Sequence, residues 1–342
     1  MHKPVKRARP TARDVAELAG VSVATVSHVV NGRGGRFGDA TRDRVLAAVS
    51  ELGYAPNSSA RGLRRQRTDQ VALLVGSIGV PANDRLAAQL HEAADAAGYG
   101  VLTLLVDSEL RARHALDLLH RGIADGAVIS DPYHCLDGDR LPALARSHLS
   151  MVVMDNTVTP DGFDVLRMRE LEACAEGLDQ LIGGRRRRVA FIGHQSDLRD
   201  TGRPTERYAA YAQALERHGL EPDERLVVSG ADDRSQSYWA MTGLLQLAHP
   251  PDAVFCASDR AAVSAIWAVR DAGLSVPTDV AVLGAGNIKE GLITRPALST
   301  VGLPQLDFGE VLRLLFERLA APEPLPGREV VQEWAFIPRG ST

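Results

Sequence analysis

The side chains that could run covalent or metal chemistry are few, and their spacing does not suit it. The three cysteines, Cys135, Cys174 and Cys256, are scattered and odd in number. That pattern fits neither a disulfide framework nor a zinc site, and it suits a reducing compartment. His91-Glu92 lacks a second histidine four residues after the first, which removes the zinc-protease helix. No G-x-S-x-G run raises a serine nucleophile. Gly284-Ala285-Gly286-Asn287-Ile288-Lys289 approaches a dinucleotide loop, but Lys289 fills the third glycine's place and too little chain follows. No catalytic residue, metal or cofactor is expected, and the chain reads as a non-enzyme. What is concentrated is positive charge. Residues 1–69 carry 13 Lys and Arg against 6 Asp and Glu, whereas the remainder carries 26 against 37. A small basic head on an acidic body suits a polyanionic partner held through counterion release. Arg185–Arg188 is a second basic run, read as a solvated loop before a strand.

Three short helices must position that basic head. Thr11 caps the first, with Asp14 as its capping-box partner, Val15, Leu18 and Ala19 as the apolar stripe, and Gly20 as the stop. Ser22 caps the second after a two-residue gap. Val26, Val29 and Val30 face inward there, leaving Val23, Ala24, Ser27 and His28 outward. A third helix spans 39–52, with Val45, Ala48, Val49 and Leu52 inward and Gly53 as stop. Two short helices across a Gly turn, braced by a third, make a helix-turn-helix whose second helix enters the major groove. Small or polar outward residues let its backbone approach the base edges.

Pro56 opens a further segment, Asn57-Ser58-Ser59-Ala60-Arg61-Gly62-Leu63, long enough for two turns. A helix this short is marginal alone, and Gly62 weakens it by about 1 kcal/mol, so its order depends on what packs against it. Beyond residue 69 strands and helices alternate. Strands are expected at 71–75, 101–106, 126–130, 151–154, 189–193, 253–257 and 280–283, with a helix at 86–97 closed by Gly98. Such alternation implies parallel sheets with helices on both faces. The length suits two sheets, with the division near 156–164, and ligands in such folds bind at the carboxyl ends of the strands.

The run from Asp14-Val15-Ala16 through Ala19-Gly20-Val21-Ser22-Val23-Ala24-Thr25-Val26-Ser27-His28-Val29-Val30-Asn31-Gly32 resembles the head of the lactose-repressor (LacI/GalR) family. Thr41-Arg42, Val45, Leu52-Gly53-Tyr54-Ala55-Pro56-Asn57 and Ala60-Arg61-Gly62-Leu63 continue the match, and Pro338-Arg339-Gly340-Ser341-Thr342 resembles the family's ending. The resemblance implies a mixed α/β chain. A three-helix helix-turn-helix head (1–53) and a hinge helix (54–68) precede a periplasmic-binding-protein-like core of two interleaved parallel α/β subdomains (69–342). It further implies a ligand-responsive repressor that binds a palindromic double-stranded DNA operator as a homodimer, with a small-molecule effector between the subdomains. Val23, Ala24 and His28 fall on base-reading positions, and Ser22, Thr25, Ser27 and Asn31 on phosphate-binding ones. Leu63 aligns with the wedge that enters a minor-groove base step, with Asn57, Ala60 and Arg61 beside it. Asn83, Asp155, Arg207, Tyr238 and Ser258 align with effector-pocket positions.

Some positions depart from the family. Loop 33–37 is a residue longer. Gly284-Ala285-Gly286-Asn287 stands where a Gly-aromatic-Asp-Asp turn is usual, so the acid that commonly holds sugar hydroxyls is Gly286, which argues against an ordinary pyranose. Ser258 replaces the usual Asn before Asp259. A rival reading is a solute-binding protein or a sugar-processing enzyme on the same core. The basic head and the lack of an export signal or long apolar run argue against it, and for a cytoplasmic protein without membrane contact.

Overall fold

The computed structural model describes residues 10–30, 37–54, 67–130, 138–147, 149–183, 186–195, 197, 205–231 and 233–342. Asn31, Asn57, Ala60, Arg61, Leu63, loop 33–36 and Cys135 lie outside the described residues. The chain divides into two compact units, 1–68 and 69–342.

In the first unit, α1 (Ala12–Ala19), α2 (Val23–Val30) and α3 (Asp39–Leu52) form the expected three helices. The capping box at Thr11 and Asp14 is present, and Gly20 and Gly53 stop α1 and α3 in the left-handed region at φ 65° and 60°. Val15, Ala16, Ala19, Val26, Val29, Val45 and Ala48 make the core, with Val30, Val49 and Leu52 partly buried against it. Leu18, expected inward, is 48% exposed and Ala16 is buried instead. The arc centred on Val15, Ala16 and Ala19 leaves Leu18 roughly 100° away at 3.6 residues per turn.

The second unit carries two six-stranded sheets. The first is ordered β11-β5-β4-β3-β1-β2 and is parallel throughout. Its strands are β1 (Gln70–Val75), β2 (Gly100–Leu105), β3 (Gly126–Ser130), β4 (Ser150–Met154), β5 (Asp164–Arg169) and β11 (Glu329–Glu333). The second is ordered β12-β10-β9-β8-β6-β7, from β6 (Val189–Gly193), β7 (Val227–Ser229), β8 (Ala253–Cys256), β9 (Ala281–Ala285), β10 (Ser299–Gly302) and β12 (Ala335–Ile337). Only β12, antiparallel to β10, departs from parallel pairing among the described strands. The covering helices are α4 (Pro81–Ala97), α5 (Glu109–His120), α6 (Leu141–Arg146), α7 (Leu171–Ile182), α8 (Glu206–Arg217), α9 (Arg234–Leu245), α10 (Asp259–Asp271) and α11 (Gly309–Ala320). Central strands such as β1, β3, β6, β8 and β9 are buried along nearly their whole length, as unbroken aliphatic runs require when both faces are covered.

Three crossovers join the sheets. The chain passes from β5 to α7 at Glu170, from β10 to α11 through 303–308, and from β11 to β12 at Trp334. The division expected near 156–164 is therefore corrected: β5 still pairs with β4, so the first crossing falls at Glu170. Arg185–Arg188 is corrected too, for its described residues. Arg186 donates to the Asp252 and Pro277 carbonyls, and Arg188 to the His249 carbonyl and the Asp223 carboxylate. The Asp252 carboxylate accepts the Arg187 and Arg188 N–H groups. These residues brace the amino edge of the second sheet instead of forming a solvated loop.

Candidate functional sites

Ser22 directly precedes helix α2, and its Oγ accepts the Thr25 N–H at 3.1 Å and lies 2.9 Å from the Thr25 hydroxyl. With Val26 and Val29 buried, the helix turns Val23, Ala24, Ser27 and His28 outward, all exposed. Val23 is 46% exposed. A half-exposed valine on an eight-residue helix leaves its methyls open to apolar contact with a thymine methyl. The His28 ring lies 6.1 Å from the Phe37 ring, tilted by 45°. Of the proposed DNA-facing set, Ser22, Val23, Ala24, Thr25, Ser27 and His28 share this one short helix and its cap.

In the second unit Arg207 sits in the first turn of α8, capped by the Thr205 hydroxyl. Its Nε and Nη2 donate to Glu170 Oε2 at 2.9 and 2.7 Å, and Nη1 donates to the Ala257 carbonyl at the end of β8. The guanidinium also lies over the Trp334 ring, 5.1 Å from its centroid. Glu170 and Trp334 are the residues of the first and third crossovers, which also meet through the Trp334 N–H and the Arg169 carbonyl at 3.2 Å. Burial opposes the Arg207 charge, but the Glu170 carboxylate outweighs it and holds the guanidinium above its ordinary pKa. Glu206 accepts from the Asn156 amide and the Glu170 N–H. Burial, reinforced by Glu170, raises its pKa. Arg207 thus grips both crossovers, a role carried by Glu170 and Trp334, which no sequence motif marks.

The other pocket candidates are engaged locally. Asp155 Oδ1 accepts from the Thr157 and Val158 N–H groups and the Thr157 hydroxyl, shaping the loop after β4. Asn83 donates to the Ser77 carbonyl. Ser258 caps α10 through the Ala261 N–H and donates to the Ala231 carbonyl. Tyr238 donates to Asp271 at the last residue of α10, so it and Ser258 mark opposite ends of that helix. Ser258, Arg207 and Asp155 follow or flank carboxyl ends of strands, whereas Tyr238 does not join them. Arg260, in the first turn of α10, reaches across to the Gly79 carbonyl at 3.2 Å, linking the two sheets' loops. The cavity of about 620 Å³ lined by Arg186, Asp252, Leu274 and Asp279 lies at the opposite, amino edge, where Arg186 already serves two carbonyls.

Behind the Gly284–Asn287 turn, Asp259 is buried and accepts the Ile288 N–H at 2.8 Å and the Thr300 hydroxyl at 2.6 Å. Burial pushes its carboxyl up to about 6, with those two donors opposing the rise. Gly286 adopts φ 126° and Asn287 φ 53°. Asn287 is held by Arg339 Nη2 at 2.6 Å and donates to the Leu303 carbonyl. The terminal residues are built in: Ser341 is buried and exchanges hydrogen bonds with Val282 and Ser299.

Residues 11–57 match the model for bacterial regulatory proteins of the lacI family, and residues 178–342 match a periplasmic binding protein-like domain. The regulator CelR of Thermobifida fusca is 34% identical over 97% of this chain and 98% of its own length. The chain belongs to the LacI family. The repressor PurR of Erwinia tasmaniensis is 32% identical over 91% of this LacI-family chain and 91% of its own. A solved complex of the regulator CelR with cellobiose is 29% identical, covers 98% of this chain and 100% of its own, and superposes with a TM-score of 0.65. This LacI-family member is a helix-turn-helix DNA-binding transcriptional regulator with a periplasmic-binding-protein-like core. Among its described residues no helix is long and apolar enough to cross a membrane.

Proposed function

We propose that this regulator represses transcription by binding a palindromic operator as a homodimer in the cytoplasm, and that a small molecule taken up between the two sheets of its core changes that affinity. The observation that carries the reading is the face of α2. Two valines fix the helix in the head, and Val23, Ala24, Ser27 and His28 stand exposed together on its outward face. Val23 and Ala24 would meet a thymine methyl, and His28 a guanine acceptor. Ser22, Thr25, Ser27 and Asn31 would bind phosphates and set register. Leu63, flanked by Asn57, Ala60 and Arg61, would wedge the minor groove at the operator centre.

Dimerisation through the core is supported by Trp267 on α10 and by Leu292 and Ile293 on the adjoining turn, which are 50%, 54% and 75% exposed. Three large apolar side chains on neighbouring elements suit a second copy related by a two-fold axis, which matches a palindromic site. The effector would approach Arg207 and Asp155, with Ser258 and Asn83 at the rim and Tyr238 reached only by a long ligand. The test is retardation of palindromic duplexes by the full chain beside a chain lacking residues 1–53. Equal retardation by both would overturn the reading.

A further inference from the structure

The His28–Phe37 ring pair joins the outward face of α2 to the start of α3. Phe37 directly precedes Gly38, the N-cap residue of α3, and packs half-buried against the head's core of Val15, Val26, Val29 and Val45. One side of its ring is thus fixed from inside. From there it meets the imidazole at a centroid distance of 6.1 Å and a tilt of 45°, within the range of favourable aromatic pairs. His28 itself is exposed on the last turn of α2, where packing alone does not fix its rotamer. Hydrogen bonding to a base edge is directional, so an imidazole free to swing loses discrimination even when it still reaches the groove.

We propose that Phe37 is a positioning residue for base recognition: its core-anchored ring holds the His28 imidazole in the orientation that reads one base pair of each half-site. The proposal rests on the assignment of His28 to the DNA-reading face. Phe37 touches no base in this scheme and acts only through His28. It therefore governs preference at one position of the site and leaves the other positions, read by Val23 and Ala24, as they are.

The experiment selects binding sites from a randomised duplex library with the full chain and with His28→Ala, Phe37→Leu and Phe37→Tyr. Circular dichroism and thermal melts show whether each head is folded. Leu keeps the apolar packing and removes the ring, whereas Tyr keeps the ring. The expected result is that His28→Ala flattens base preference at one position per half-site. Phe37→Leu should cut the preference at that same position about fivefold, the size of a typical aromatic pair, with the other positions unchanged. Phe37→Tyr should retain it. If Phe37→Leu weakens all positions evenly, or leaves the His28 position intact while His28→Ala flattens it, the positioning role is wrong and the His28 assignment stands. If His28→Ala changes no position, the assignment of His28 fails and the proposal falls with it.

Discussion

Replacing Glu170 by alanine removes the acceptor of two Arg207 N–H groups, at 2.9 and 2.7 Å. Robbing a fully buried charge of its partner costs about 3–5 kcal/mol. The Arg207 and Glu170 side chains are 21% and 16% exposed, so water screens part of the loss. About 2–3 kcal/mol of core stability is then expected to disappear. Glu170→Gln keeps one acceptor and loses the charge, which should cost about 1–2 kcal/mol. Trp334→Leu removes the ring beneath the guanidinium for about 1 kcal/mol of cation–π contact, plus its packing. A cycle of Glu170→Gln and Arg207→Gln isolates the pair, and a coupling of about 1–2 kcal/mol is expected from urea unfolding of the core. A coupling below about 0.5 kcal/mol would show that Arg207 and Glu170 do not act as one latch across the crossovers. The same geometry qualifies a simpler expectation, that Arg207→Ala abolishes effector response and spares DNA binding. Removing Arg207 also loosens two crossovers, and a loosened core mimics a lost response. Glu170→Gln leaves the guanidinium in place and separates the two effects.

Asp259 has a folded pKa of about 6 against an ordinary 3.8. The folded state therefore binds more protons than the unfolded chain across that window. Stability contributed at Asp259 should fall by about 3 kcal/mol as pH climbs from about 4 to about 6, then level off. The difference between wild type and Asp259→Asn in unfolding free energy, followed from pH 4 to 7, checks this, and a flat difference would contradict it. Gly284→Ala would place a methyl 2.2 Å from Asp259 Oδ1 and 3.1 Å from Ala262 and Leu298, so it should cost about 3 kcal/mol or more in the same assay. Leu63→Ala should weaken binding to a selected operator while leaving random duplex unchanged, because the wedge acts only where a flexible step opens. Equal losses on both duplexes would remove the wedge assignment.

Periodicity made the head legible nearly residue by residue. Thr11, Gly20, Ser22 and Gly53 punctuate it, and the valines at 26 and 29 fix which face is outward. Most central strands were legible as well, since unbroken apolar runs such as Val71-Ala72-Leu73-Leu74-Val75 have few alternatives. Five strands escaped, and they are different in kind: β5, Asp-Val-Leu-Arg-Met-Arg, is interrupted by arginines, and β10, Ser-Thr-Val-Gly, is buried but short and half polar. β7 and β12 span three residues each, too short for a pattern to repeat. β11, Glu-Val-Val-Gln-Glu, alternates exposed and half-buried positions on an edge. Partnerships across the fold were not legible at all. Nothing near Glu170 or Trp334 in the sequence points to Arg207, because the three meet only once two crossovers lie side by side.

That meeting bears on the effector. The family resemblance places Arg207 at an effector-pocket position, where a guanidinium fork could serve an acid or a hydroxyl pair. In the fold its fork is filled by Glu170, and Glu206, whose pKa burial raises, lies beside it. An anionic ligand arriving there would have to displace Glu170 into a partly buried site already holding a second carboxyl, at a cost of several kcal/mol. A neutral ligand faces no such exchange: it can hydrogen-bond beside the pair and leave it whole. The turn at 284–287 adds no charge of its own, since Gly286 has no side chain and Asn287 is held by Arg339 and the Leu303 carbonyl. Neutral hydroxylated or amide-bearing metabolites should therefore shift operator affinity more than their matching carboxylic acids. The measurement is operator binding in the presence of paired neutral and acid forms, wild type beside Glu170→Gln. The variant should narrow the gap by freeing the fork for an acid. A wild type that responds to an acid and ignores its neutral partner would refute the argument, since it would place the Glu170 carboxylate outside the ligand's path.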